Sequence, residues 1–249
     1  MHIHISQGFM QEFARLLILW FSNLFHHNHD SKIIYYHDVS REYTGMGTDL
    51  ETIKRHFVMV KKCGYKLVNN ITQQKGQVMV CFDDGWAGLY EAKGFFIENK
   101  VFPTVFIAVD LIGKPGYLTL QQILELQKEG FLFEGHTWSH KDLTTFDDAG
   151  LRHELFDSKE ELSRLLGRHV EALCFPRGRF SDRVYQLSVE AGYNKLYSSI
   201  TGGYYDLLKS RNLICRNLVQ SVTDKEFKYI LNGTSRFFVR RSMKLHYQR

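Results

Sequence analysis

The feature that most constrains the fold is a long alternation of short apolar runs with helix-period segments. Residues 32–36, 78–82, 101–108, 131–133, 170–175, 195–200 and 213–219 read as strands. Helical patterns at 48–63, 86–99, 120–129, 148–166 and 182–191 separate them, and a last helix starts at Thr223. The punctuation agrees, with capping boxes at Thr48-x-x-Glu51 and Thr223-x-x-Glu226 and glycine stops at Gly64 and Gly130. Strand and helix in strict alternation imply parallel βαβ units of the α/β class, and about seven strands in one domain point to a barrel rather than an open sheet. The length of 249 residues suits one such domain, and no Pro- or Ser-rich linker interrupts the series. We expect an amphipathic segment over 1–30, a barrel over 31–235 and a basic tail over 236–249.

With 44% hydrophobic and 24% charged residues, the composition excludes collagen-like, disordered and disulfide-scaffold chains. The net charge of +5 is unevenly placed: residues 207–249 hold ten Lys/Arg against Asp224 and Glu226. Such an end suits an anionic surface, a phosphate-bearing substrate or simply solvent. Nucleic acid is not expected, because no recognition helix or base-stacking motif accompanies the charge. Cys63, Cys81, Cys174 and Cys215 lie far apart without a Cys-x-x-Cys pair, as free thiols in a reducing, cytoplasmic setting would. The apolar run 16–21 is far short of the ~20 residues a membrane span requires, and it lacks the flanks of a secretory signal. On a helix Phe9, Phe13, Leu16, Leu17, Trp20 and Leu24 share one side, which suits docking on the barrel or peripheral contact with a membrane's inner face. The His26-His-Asn-His29 cluster reads as a polar loop, and the Gly-rich segments near 44–47 and 201–203 as turns.

Four polar clusters each follow a strand: His37-Asp38, Asp83-Asp84-Gly85-Trp86, His136-Thr-Trp-Ser-His140 and Pro176-Arg177-Gly178. In a parallel barrel the C-terminal strand ends converge on one face, so these clusters should meet there. Adjacent carboxylates repel unless positive charge lies beside them, and a metal ion is a common solution. His136 and His140, four apart, would share one side of a helical turn and present both imidazoles to one ion. One Asp and two His leave a coordination position open, the pattern of a catalytic zinc-like site, and the second Asp is then free to act as base. Helix capping by the aspartates and solvent exposure of the histidines explain each feature singly, but not their joint occurrence after strands. Trp86 and Trp138 flank the proposed ligands; they either stack on a sugar ring or pack in the core.

Cys81-Phe-Asp-Asp-Gly85, His136-Thr-Trp-Ser-His140 and Phe175-Pro-Arg-Gly178, in this order, resemble the polysaccharide deacetylases of the NodB-homology type, carbohydrate esterase family 4. Tyr36-His-Asp-Val39 resembles the Tyr-His-x-Val strand end of the branch that includes poly-N-acetylglucosamine deacetylases. The likeness covers about residues 32–220. It implies a distorted (β/α) barrel of about seven parallel strands and a divalent-metal-dependent hydrolase, with zinc the expected metal, that removes an N-acyl group, typically acetyl, from an amino sugar in a glycan, glycolipid or lipid-linked precursor. By matching position Asp83 is the base, and Asp84, His136 and His140 are the metal ligands. The Arg177 backbone N–H would be an oxyanion donor, and His37 would protonate the leaving amine, a task suited to imidazole.

The chain also departs from the family pattern. Cys174 stands where many members carry a base-orienting Arg, and Arg177 stands where an aromatic residue is usual. Arg177 and Arg179 are the two candidates to supply the missing guanidinium, Arg179 also being a candidate substrate contact. Leu132 and Glu134 replace the usual Glu and Gly, and a late Leu-x-His motif is missing, His246 being placed in an isolated basic tail. Two competing readings are a deformylase acting on a lipid-linked sugar and an inactive barrel that binds glycan or an anionic surface. The retained base and ligands argue against decay, since a binding module has no use for a costly carboxylate pair.

Overall fold

The computed structural model describes residues 28–40 and 46–248. The amphipathic run expected over 9–24 therefore lies outside the described residues. Nine parallel strands form the main sheet: β1 (Lys32–Tyr36), β2 (Lys66–Val68), β3 (Gln77–Phe82), β4 (Thr104–Ile107), β5 (Leu132–Gly135), β6 (Ala172–Cys174), β7 (Lys195–Tyr197), β8 (Leu213–Ile214) and β9 (Asn217–Leu218). Their order is β8-β7-β6-β5-β4-β3-β1-β9, with β2 on the side of β3. This is the expected distorted barrel, with helices such as Leu50–Lys62, Leu120–Glu129 and Asp182–Glu190 packed outside.

Side-chain alternation divides the core. Ile34, Tyr36, Val80 and Phe82 face the helices, whereas Ile33, Tyr35, Met79, Cys81, Phe106 and Cys174 fill the barrel interior. The inward row of β3 runs Met79, Cys81 and on to Asp83, so alternation alone aims that carboxylate into the barrel.

The run expected as one strand over 213–219 is two. β8 pairs with β7, and two residues later β9 pairs with β1 at the other edge of the sheet. Cys215 and Arg216 thus carry the chain across the barrel's seam. The expected Thr48 capping box is also displaced: Asp49 is the N-cap, accepting from Thr52 N at 3.0 Å. Thr48 is buried in a two-residue strand, Gly47–Thr48, paired with Asp38–Val39, and is unavailable to cap. The box at Thr223 forms as expected. The pattern over 148–166 is continuous but contains a π-helical turn at His153–Asp157 between Asp148–Arg152 and Ser158–Leu166. Residues 239–246 form a helix, so His246 does not lie in an isolated tail. No helix among the described residues is long and apolar enough to cross a membrane, and all four cysteines are free.

Candidate metal centre

Asp84 follows Asp83 at the end of β3 in a left-handed conformation, φ 70°, with Gly85 next at φ 80°. A Cβ on Gly85 would meet Ile107 Cδ1 at 2.4 Å, so glycine is required there for both space and φ. This reversal turns the Asp84 side chain across the barrel mouth.

The loop after β5 is not the helical turn expected for His136 and His140. Thr137 and His140 have φ of 69° and 59°, and the two imidazoles converge through these left-handed residues with ring centroids 4.8 Å apart. Of six non-glycine residues with positive φ among those described, Asp84, Thr137, His140 and Arg177 belong to these loops. Such conformations cost of order 1–3 kcal/mol each and persist only where the surroundings over-determine them. Here Glu154 does so: buried in the π-helical turn, it accepts from Trp138 N and Ser139 N, both at 3.0 Å, and from the Ser139 hydroxyl at 2.5 Å. π-turns are rare and recur at functional sites.

Asp84 Oδ1 lies 3.3 Å from His136 Nε2 and 3.0 Å from His140 Nε2. His136 Nδ1 is 2.7 Å from the Cys174 carbonyl, which can only accept, so Nδ1 carries the proton. In neutral imidazole Nε2 then turns a lone pair toward a carboxylate oxygen that is itself buried without a hydrogen-bond donor. Two acceptors at this distance repel, and a cation among the three atoms removes the conflict. The donor set fits a divalent ion: one carboxylate, two imidazoles, and a backbone carbonyl fixing the tautomer of one ligand. Burial would raise the Asp84 carboxyl, but the two histidines outweigh it and hold it far below the usual range. Burial likewise opposes the rise of His140, which Asp84 nonetheless enforces. Asp83, His136 and Cys174 form an overlapping cluster, yet burial pushes the Cys174 thiol well up and leaves it a poor ligand.

Asp83 meets a residue that sequence reasoning missed. Arg216 is fully buried and grips both carboxylate oxygens, Nη1 to Oδ1 at 2.6 Å and Nη2 to Oδ2 at 2.8 Å. Its Nε donates to Ser198 O at 3.0 Å, and its guanidinium lies 4.2 Å from the Tyr35 ring centroid. Cys174 Sγ is 2.9 Å from Nη2, so the small residue at 174 leaves room for a guanidinium arriving from the seam. Neither Arg177 nor Arg179 takes that place: Arg177 is exposed, and Arg179 pairs with Asp142 at 2.8 Å. Burial would raise the Asp83 carboxyl, but Arg216 overrides it and keeps the group below its ordinary value. A lone Arg inside the apolar run 213–219 was the available signal.

His37, after β1, is fixed by Nδ1 to Gln220 Oε1 at 2.5 Å, a contact that does not use Nε2. The Trp86 indole N–H donates to Asp84 Oδ2 at 3.2 Å while its ring stacks on Tyr117 at 4.3 Å. Trp138 lies 4.6 Å from the His153 ring. Both tryptophans are half-buried, Trp86 stacked on a protein ring and Trp138 tilted against one.

A family model described as polysaccharide deacetylase matches residues 70–196, just over half of the chain. The peptidoglycan-N-acetylmuramic acid deacetylase PdaA of Bacillus subtilis is 26% identical over 126 residues, 49% of this chain and 46% of that protein. The chain spans about half the length of the curated relatives it matches. In fold it is similar to the Streptococcus pyogenes deacetylase PplD, solved in complex with acetate, with a TM-score of 0.70 at 20% identity over 80% of this chain and 96% of that one. IcaB from Ammonifex degensii gives 0.69 at 16% identity, over 84% and 98%. Sequence match and barrel together show that the chain belongs to the polysaccharide deacetylase family.

Proposed function

We propose that the protein is a metal-dependent N-deacylase that hydrolyses an N-acyl group, most simply acetyl, from an amino sugar in a glycan or lipid-linked glycan precursor. One observation carries the reading: two adjacent carboxylates are held in different states, Asp83 clamped by Arg216 and Asp84 facing two imidazoles. Asp84, His136 and His140 would hold the ion. A divalent metal held there would supply Lewis-acid chemistry toward water and the amide carbonyl.

The chain's own groups do the rest. Asp83, kept ionised by Arg216, accepts the proton of the attacking water at a carboxylate oxygen. The bidentate guanidinium fixes the carboxylate plane, so the base is pre-oriented. The Arg177 backbone N–H donates to the oxyanion that develops on the carbonyl oxygen. His37, oriented through Gln220, delivers a proton from Nε2 to the departing amine. The exposed edges of Trp86 and Trp138 bound the sugar site, and Arg179, at the rim beside Asp142, contacts more distal substrate.

The test is metal analysis combined with an amine-release screen over N-acetylated and N-formylated amino sugars, with Asp83→Asn as control. Expected is about one divalent ion per chain, with release of free amine that Asp83→Asn abolishes while keeping the metal. N-formyl substrates alone reacting would shift the reading to a deformylase, and glycan binding without amine release from any substrate would leave an inactive binding barrel.

A further inference from the structure

The C-terminal segment folds back onto the turn that presents Arg177. Ser242, on the helix Val239–His246, accepts from Thr201 N at 3.2 Å and donates to Ser199 O at 3.4 Å. Beyond the helix, Tyr247–Gln248 pairs in parallel with Phe180–Ser181. The Tyr247 hydroxyl donates to Asp182 Oδ2 at 2.8 Å, and its ring lies between Phe180, centroid distance 5.5 Å, and the Arg211 guanidinium at 4.7 Å. These anchors bracket the turn Pro176–Gly178. Between them, His246 Nδ1 lies 3.1 Å from the Arg177 carbonyl. A carbonyl only accepts, so Nδ1 donates.

Arg177 needs such a restraint. It is left-handed, φ 56° and ψ 11°, without glycine's freedom. Gly178 follows at φ 67°, and a Cβ there would meet Ser199 Cβ at 2.5 Å. The turn is thus squeezed from β7's side by Ser199 and tied from the solvent side by His246. The Arg177 backbone N–H donates to no backbone group among the described residues, and the turn starts two residues after Cys174, whose carbonyl holds His136 Nδ1 at 2.7 Å, which places the turn beside the metal ligands.

We infer that His246 is a positioning residue for the reaction: carried in by the C-terminal segment, it holds the left-handed Arg177 turn so that the Arg177 backbone N–H meets the developing oxyanion. This rests on the reading of that N–H as an oxyanion donor. Loss of a whole oxyanion donor costs about 10²–10³ in kcat; loss of a restraint on one should cost less.

The experiment compares His246→Ala with His246→Asn in the full chain, loaded with metal. Asparagine places its side-chain amide where Nδ1 lies, so it keeps the donor without an acid's chemistry. The expected result is a roughly tenfold lower kcat for His246→Ala with KM and metal content unchanged, the mark of an interaction made in the transition state. His246→Asn should recover to within about threefold of wild type. Hydrogen exchange at residues 177–179 should quicken in His246→Ala alone, which reads the restraint even where activity is low. An asparagine variant as impaired as alanine would overturn the positioning role. So would wild-type kcat or unchanged exchange in His246→Ala while Asp83→Asn stays inactive. Activity indifferent to Asp83→Asn would instead sink the underlying reading of the site.

Discussion

The barrel mouth and the flank beneath the helix Leu50–Lys62 each bury a histidine, and the two have opposite characters. His136 and His56 are 2% and 0% exposed, and each is oriented through Nδ1, His136 by the Cys174 carbonyl and His56 by the Tyr36 hydroxyl at 2.8 Å. They differ at Nε2. That of His136 faces the Asp84 carboxylate, whereas that of His56 has no partner, and its ring stacks on Phe227 at 3.8 Å between centroids. Burial alone therefore does not mark a functional histidine; what faces the second nitrogen does. At the mouth it faces an oxygen that needs a cation, whereas at the flank it is buried without a partner, and burial keeps the imidazole neutral.

The largest effect should come from breaking the two histidines in parallel. His136→Ala is expected to lose the metal and at least about 10³-fold of turnover, since it removes both a ligand and the open site built on it. His56→Asn should keep metal and activity within about twofold while losing stability, because it opens a buried space under Phe227. Metal content by elemental analysis and initial rates on the same preparations check both. If His136→Ala retained full metal occupancy, the contrast between the two histidines would collapse.

A smaller effect sharpens the contrast on the carboxylate side. Arg216→Met removes one partner of a buried ion pair and strands Asp83, a change that typically costs 3–5 kcal/mol. Freed of the guanidinium, Asp83 should rise toward protonation, so activity should fall about 10–100-fold and its acid limb should move to higher pH. Metal binding should persist, since Arg216 touches no ligand. The pH–rate profile checks this: an unshifted acid limb in Arg216→Met would mean that Arg216 does not govern the ionisation of Asp83.

Much of this was legible in the chain, and the failures share a physical cause. Strand alternation and the polar clusters at strand ends follow from local chemistry, so the barrel and the meeting of Asp83, Asp84, His136 and His140 at its mouth could be read from local pattern. The expected helical turn at 136–140 was not there, because left-handed Thr137 and His140 are imposed by Glu154, which reaches back from a π-turn to Trp138 N and Ser139 N, 16 and 15 residues away. Arg216 was missed for the same reason. Its run reads as one apolar strand, and only closure of the seam between β8 and β9 reveals that a buried charge there must find Asp83, 133 residues away. His246 depends likewise on a helix whose docking is tertiary. Residues fixed by neighbours in sequence were readable, and those fixed by neighbours in space were not.

The smallest effect concerns pH and stability at the flank. Burial lowers the His56 pKa from 6.5 to about 4. Between those values the unfolded chain binds a proton that the folded chain refuses, so stability rises with pH through this window. The contribution is fully present above about pH 6.5 and is lost on acidification toward pH 4, with a full extent of roughly 3 kcal/mol. Wild type should therefore lose more stability than His56→Asn between pH 7 and pH 4.5, though it starts from a higher value, because asparagine does not titrate while still offering the Tyr36 hydroxyl a partner. Chemical denaturation of both proteins across that range measures the difference in slope. Parallel stability curves would show that His56 accepts its proton as readily folded as unfolded, and that its stacking on Phe227 does not hold the ring neutral.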